Sequence, residues 1–164
     1  MSDVEDVVEK VIALLGAEMP AALSAIETEK SDGMALEPVA KFYFGERFLD
    51  LIAATDKPVV TVSPESSEAR NVQGGYSEDD ETIVVTVILR GDKEETLTRK
   101  ALRYARAVRN VLAEHPVMDL FESGDVKRSE VAGMSYSPIS RAGAMIFIGV
   151  DIRLKVGMVN QTKA

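Results

Sequence analysis

The sequence predicts an α+β domain: N-terminal helices, then a mostly antiparallel sheet of about four or five strands with a long helix packed on one face. Three stretches carry that prediction. ETIVVTVILR (81–90) is fairly apolar on both sides at a period of two, with Ile83, Val85, Val87 and Leu89 on one side and Thr82, Val84, Thr86 and Ile88 on the other. Such a strand belongs in the middle of a sheet, covered on one side by helices. RKALRYARAVR (99–109) repeats its apolar residues at helical spacing. AMIFIGVDIRLKV (144–156) alternates cleanly, with Ile146, Ile148, Val150, Ile152, Leu154 and Val156 facing one way and Asp151, Arg153 and Lys155 the other. That is a strand with one solvated face.

The first 30 residues read as helical. Ser2 and Glu5 match a capping box, in which each side chain satisfies a free backbone donor of the other. Val4, Val7, Val8, Val11, Ile12, Leu14 and Leu15 then form one apolar stripe. Gly16 is expected to end or bend this helix, and Pro20 to open a second one over 20–30, where a missing N–H is harmless. Ser31, Asp32 and Gly33 supply the stop. VAKFYF (39–44), rich in aromatic and β-branched residues, reads as a short strand. Residues 45–55 allow a helical turn or two. KPVVTVS (57–63) is a further strand, with its proline at the start, where the lost donor matters least. The polar stretch 64–80 carries Gly74-Gly75 and ends in a run of acids, which predicts an exposed loop holding at most part of a hairpin. Gly91-Asp92 turns the chain into a helix over about 93–114, which His115-Pro116 ends. Residues 124–138 and 144–156 form an antiparallel pair.

A chain of 164 residues can bury roughly 70% of its unfolded surface, so one domain over 1–164 needs no covalent staple. There is no cysteine, which excludes disulfides and thiolate metal sites. The opening MSDVEDVVEK is acidic and lacks the basic region of a signal peptide. No uninterrupted apolar run approaches the ~20 residues of a membrane span, so no membrane partner is expected. A net charge of −8 disfavours general binding to nucleic acid or anionic lipid through the whole surface.

The search for catalytic chemistry yields no catalytic residue, no cofactor and no metal site, so the chain is not expected to be an enzyme. The single histidine, His115, precedes a proline at a helix end, where it is expected to cap the last carbonyls. Gly74-Gly75 lacks the lysine and following helix of a phosphate-binding loop. The acids Glu78, Asp79, Asp80 and Glu81 are consecutive, which is wrong for a calcium loop with alternating ligands. A solvated acidic loop that keeps the next strand from pairing at its edge is the preferred reading.

The basic cluster in 99–109 needs a separate account. At about 100° per residue, Arg103, Arg106 and Arg109 lie within roughly 80° of Arg99, while Leu97, Ala101, Tyr104, Val108, Val111 and Leu112 fall on the opposite side. The apolar side packs on the sheet. The basic side is not explained by packing, and its like charges are neighbours. Hydration or intrachain pairing, a protein interface, and nucleic acid are the three readings. Nucleic-acid binding wants exposed aromatic platforms beside the cations, and Tyr104, the aromatic residue of this stretch, sits on the apolar side. Arginine suits bidentate pairing with carboxylates. A head-to-tail contact between identical subunits would bring one copy's basic side towards another's acidic surface and close into a ring.

The order of elements resembles phage tail terminator (tail completion) proteins of the head–tail junction. The resemblance runs through PAALSAIETEKSDG (20–33), KFYFGERF (41–48), KPVVTV (57–62), the strand and helix of 81–112 with its RYARAV core, and the closing strands of 125–156. It implies an α+β subunit of a homo-oligomeric ring, a hexamer in the common form, in the virion and assembled in the host cytoplasm. Such a ring contacts the tail tube protein on one side and head-completion or connector proteins on the other, and DNA passes through it transiently. Arg99, Arg103, Arg106 and Arg109 are then candidates for a subunit or partner interface, and Glu78, Asp79, Asp80 and Glu81 for an acidic lumen or interface loop. A head–tail connector or stopper of the neck is the nearest alternative, and a DNA-binding module using the basic helix a more distant one.

Overall fold

The computed structural model describes residues 2–45 and 58–161. The helical turn expected over 45–55 falls, beyond Gly45, outside the described residues. Elsewhere the fold is α+β, as expected. Two long helices, α1 (Val4–Lys30) and α2 (Glu94–Glu114), lie on one face of a mixed sheet. The strands are β1 (Lys41–Phe44), β2 (Val59–Gln73), β3 (Tyr76–Gly91), β4 (Val126–Tyr136), β5 (Ser140–Ala142) and β6 (Met145–Gln161). Among the described residues the sheet has six strands, in the order β1-β2-β3-β6-β4, with β5 also pairing β6. Every pairing is antiparallel except β1 with β2, which is parallel.

The stripe from Val7 to Ile26 and the apolar side of α2 meet Ile83, Val85, Val87 and Leu89 of β3 and the even-numbered apolar residues of β6 in one core. Transfer of such surface from water is the main stabilising term. Ala101, Ala105 and Ala107 of α2 are fully buried, and their small side chains let the helix approach the sheet.

Four expectations are corrected. The N-terminal segment is one helix, not two: Pro20 lies inside α1. Gly16 and Pro20 face solvent, so the carbonyl of Gly16 that loses its i+4 donor is open to water. Leu15, Met19, Leu23 and Ile26, buried on the other side, hold the helix across the gap. By length and hydropathy this helix could span a membrane, which the sequence reading, looking for an unbroken apolar run, did not register; its apolar stripe here packs on the sheet. Second, the capping box is shifted by one residue. Asp3 and Asp6 exchange backbone donors at 2.9 and 3.0 Å, while the Ser2 N–H donates to Asp125 at 2.9 Å.

Third, residues 64–80 are not a loop. β2 and β3 run on through them as a long hairpin, with Gln73 opposite Tyr76. Gly74 and Gly75 have φ of 53° and 88°, both in the left-handed region that a two-residue hairpin turn demands at its two central positions. Pro64 is accommodated because it sits at a register shift, past the last residue of β2 that β1 covers. Fourth, His115 terminates α2 through its backbone N–H to Val111, but its ring lies 3.6 Å from Glu18 of α1 rather than on the last carbonyls.

Candidate assembly surface

The basic side of α2 is turned towards the end of α1 and the chain that follows it. Arg103, with only 7% of its surface exposed, reaches Asp32 with both guanidinium nitrogens, one at 3.0 Å and the other closer. Arg106 forks onto Glu29 at 2.9 and 2.7 Å. Arg99 pairs with Glu95 one turn back at 2.8 Å, and Lys100 lies 4.0 Å from Glu37. The Arg103 guanidinium, by its hydrogen bond, holds the Asp32 carboxyl well below the usual carboxylate range. Arg106 likewise lowers that of Glu29. The planar fork of arginine matches a carboxylate in two places, and Arg99, Lys100, Arg103 and Arg106 each lie against an acid. Arg109 is exposed, with no described salt-bridge partner. Intrachain pairing thus accounts for Arg99, Arg103 and Arg106, and of the four candidate interface residues Arg109 is the one left open to a partner.

Tyr104 lies where the helical wheel puts it, 1% exposed against the core. Its hydroxyl donates to the Glu37 carbonyl, which pins the segment after α1 to α2. Burial pushes its phenol above the ordinary tyrosine value.

The acidic candidates alternate along β3 instead of forming a loop. Asp80 lies on the sheet face opposite the helices and binds two arginines, Arg70 of β2 at 2.7 Å and Arg128 of β4. Arg128 reaches it across β6 only because Gly157 stands between them. A Cβ on Gly157 would lie 2.7 Å from Cγ of Arg128. Glu81, on the helix side, is 5% exposed and accepts from Ser67 Oγ at 2.7 Å. Asp79 accepts from Ser77 Oγ at 3.3 Å. Glu78 is exposed. The acids therefore do not act as one patch: Asp80 is neutralised, Glu81 is buried, and Glu78 is the one fully presented to solvent. Among the described residues no group of three or more acidic or histidine side chains is arranged to hold a metal ion.

The same sheet face carries further cross-strand polar pairs. Arg153 forks onto Glu65 and donates to Ser135 at 3.1 Å. Thr86 donates to Asp151 at 2.7 Å. Beside them lies a concavity of about 610 Å³ bordered by Thr61, Val84, Ile88 and Phe147. Sequence reasoning identified Asp151, Arg153 and Lys155 as the solvated side but missed these partners, because they come from β2, β3 and β4. The glycine in KVGM was the available signal for Arg128 and Asp80: a glycine inside an alternating strand marks a close approach.

Among the described residues β1 is one end of the sheet and β4 the other. Phe44 of β1 is 48% exposed, and Met134 and Tyr136 of β4 are 37% and 45% exposed. The sequence signalled β1 by its aromatics and β4 only weakly.

No protein-family model and no curated protein matches the chain. A solved structure that carries no description of function is 17% identical to it, with 88% of this chain and 94% of the other covered and a TM-score of 0.40. A chain from the virion of a native gene transfer agent particle is 16% identical, with 87% of this chain and 94% of that one covered and a TM-score of 0.35. The likeness to a virion component is weak, and at this depth neither match carries an argument.

Proposed function

We propose that this chain is a structural virion protein, a subunit of a ring that caps the tail tube and joins it to the head of a tailed phage. The observation that carries the reading is the build of the sheet. Helices cover one face, and the described sheet ends in two unlike strands, β1 on one side and β4 on the other. Head-to-tail assembly needs two dissimilar surfaces on opposite flanks of one subunit, and it closes when the rotation permits. The element order that resembles tail terminators supports the specific role, since 20–33, 41–44 and 81–112 occupy α1, β1 and the β3–α2 unit.

In this reading the protein is not an enzyme, and DNA passes through the ring without being read. The pairing of Arg103 and Arg106 with Asp32 and Glu29 disfavours α2 as a phosphate-binding surface, because those cations are already neutralised. The charge of −8 gives a channel that repels DNA and so lets it slide.

The test is assembly on the tube. Purified chain, measured by light scattering alone and with purified tail tubes, should form a discrete oligomer in at least one setting. Electron microscopy should then place it at one tube end. A strict monomer in both settings refutes the ring. Binding to head-completion rings but not to tube ends would replace the terminator by a neck connector or stopper. Affinity for duplex DNA that falls steeply with salt would favour the DNA-binding module instead.

A further inference from the structure

Residues 132–136 of β4 (AGMSY) are all exposed, including Gly133, whose exposed surface is backbone. No described strand pairs with their outer side. Their register with β6 is regular from Gly133, opposite Arg153, to Tyr136, opposite Val150. Ser137 extends it, its N–H donating to the Gly149 carbonyl at 2.8 Å. Irregularities bound this stretch on both sides. One is the shift between Val131 and Gly133; the other is Pro138 and Ile139, which intervene before Ser140 pairs with Phe147. The regular segment is therefore 133–137, and Ser135 is its midpoint. It contains no charged residue. An exposed edge is usually blunted by lysine, proline or an inward charge, because its unpaired N–H and C=O groups invite another strand. This segment has none of those devices within it.

The ladder fixes which backbone groups are free. In an antiparallel pair, directly opposed residues alternate between those that exchange both hydrogen bonds and those that exchange none. Ser137 bonds to Gly149, so Tyr136 and Met134 are of the second kind, and their N–H and C=O groups point away from β6. A strand added here must set its own outward groups against them. A second copy, antiparallel and centred on Ser135, does so. Met134 of each copy then meets Tyr136 of the other, and each such pair exchanges both hydrogen bonds. A shift of one residue would leave these groups unmatched. Met134 and Tyr136 lie opposite Ile152 and Val150, which join the core under the helices, so the side chains of both copies meet on the same side of the sheet. A thioether against an aromatic ring is a favourable contact. The charges beyond the segment are opposite in sign. Glu130 pairs with Lys155, four residues past Asp151, the partner of Ser135, and Arg141 pairs with Ile146, five residues before it. The two-fold rotation sets Glu130 of one copy beside Arg141 of the other.

We propose that in the free protein β4 pairs antiparallel with β4 of a second copy, across a two-fold axis at Ser135. This contact goes beyond the ring reading and does not rest on it. It closes on a single pair of chains and shields an edge that would otherwise recruit other strands. It must open before the β4 flank can meet a neighbour in a ring. The contact is small, so association is weak and depends on concentration. The chain has no native cysteine, so an engineered one reports the contact without background. Ser135→Cys sits opposite itself across the axis and should oxidise to a disulfide dimer at least about tenfold faster than Ser24→Cys, which lies on the exposed side of α1. Sedimentation velocity of the unaltered chain should show a monomer–dimer equilibrium. Met134→Lys/Tyr136→Lys should weaken it at least about tenfold with unchanged circular dichroism. Oxidation of Ser135→Cys no faster than that of Ser24→Cys would overturn the proposal, as would a dimer that tolerates both lysines. A free chain that stays monomeric at every concentration yet caps tube ends would overturn this contact and leave the ring standing. A two-fold dimer, linked through Ser135→Cys, whose unaltered chain never binds tubes would uphold this contact and remove the ring.

Discussion

Replacing Tyr104 by Phe isolates one hydrogen bond and one titration in the same side chain. The ring stays where it is, 1% exposed, so no cavity opens. The variant loses the hydroxyl that donates to the Glu37 carbonyl. A neutral hydrogen bond of this kind has a net value of about 1 kcal/mol, and in a protein of this size that shifts Tm by roughly 2–4 °C. At pH 7 the variant should therefore be the less stable. The order reverses in alkali. Burial raises the phenol above its ordinary value of 10.0, so above pH 10 the unfolded chain gives up a proton that the folded chain keeps. The stability this group contributes is complete below pH 10 and is lost as pH rises beyond it. One proton corresponds to about 1.4 kcal/mol per pH unit, so by about pH 11 the loss equals or exceeds the hydrogen bond. Urea unfolding of both proteins from pH 7 to 11 measures the difference, in which the titrations of the other tyrosines and the lysines cancel. A gap that stays constant across that range would refute the claim that this phenol is held neutral by burial.

Three further perturbations address the helices and the sheet. Asp32 and Glu29 are both lowered from ordinary values of 3.8 and 4.5, so the stability they contribute is complete above those values and is lost as pH falls through the lower, folded ones. Asp32→Asn should flatten the acid limb of a thermal-stability profile, and a profile with the wild-type slope would show that Arg103 does not hold this carboxylate. Gly157→Ala places a Cβ 2.7 Å from Arg128 Cγ and should cost about 1–3 kcal/mol through crowding, measured by urea unfolding; adding Arg128→Ala should recover part of that loss, and no recovery would assign it elsewhere. Pro20→Ala restores the missing donor to the Gly16 carbonyl on the exposed side of α1 and should stabilise the protein by up to about 3 kcal/mol, whereas a lower Tm would mean that α1 needs its proline.

The core elements were legible because a buried face imposes a period on the sequence. Ile83 to Leu89, Ile146 to Val156 and the Leu97–Leu112 stripe each expose one side to the core, and each was assigned to the right face. The hairpin through 64–80 was not legible as strand. Beyond Val62, β2 has no β1 neighbour, its side chains from Pro64 to Arg70 are exposed, and no apolar alternation is imposed on them. Its one available signal was Gly74-Gly75, a turn that two strands must flank. Pro20 misled for the opposite reason. Local propensity says that a proline starts a helix, but eight buried residues of α1 outweigh one lost hydrogen bond.

By itself the sequence determined the α+β class, the central strand, the amphipathic split of 99–109 and the acidic balance, since each depends on the order of residue types along the chain. Only the tertiary structure decided what the arginines meet. Arg103 and Asp32, or Arg106 and Glu29, are separated by some seventy residues, and no local pattern tells which carboxylate a guanidinium will reach. The same holds for Asp80, whose partners come from β2 and β4, and for the strands that end the described sheet. An edge is a property of strand order, which is settled when distant segments pack on a shared core.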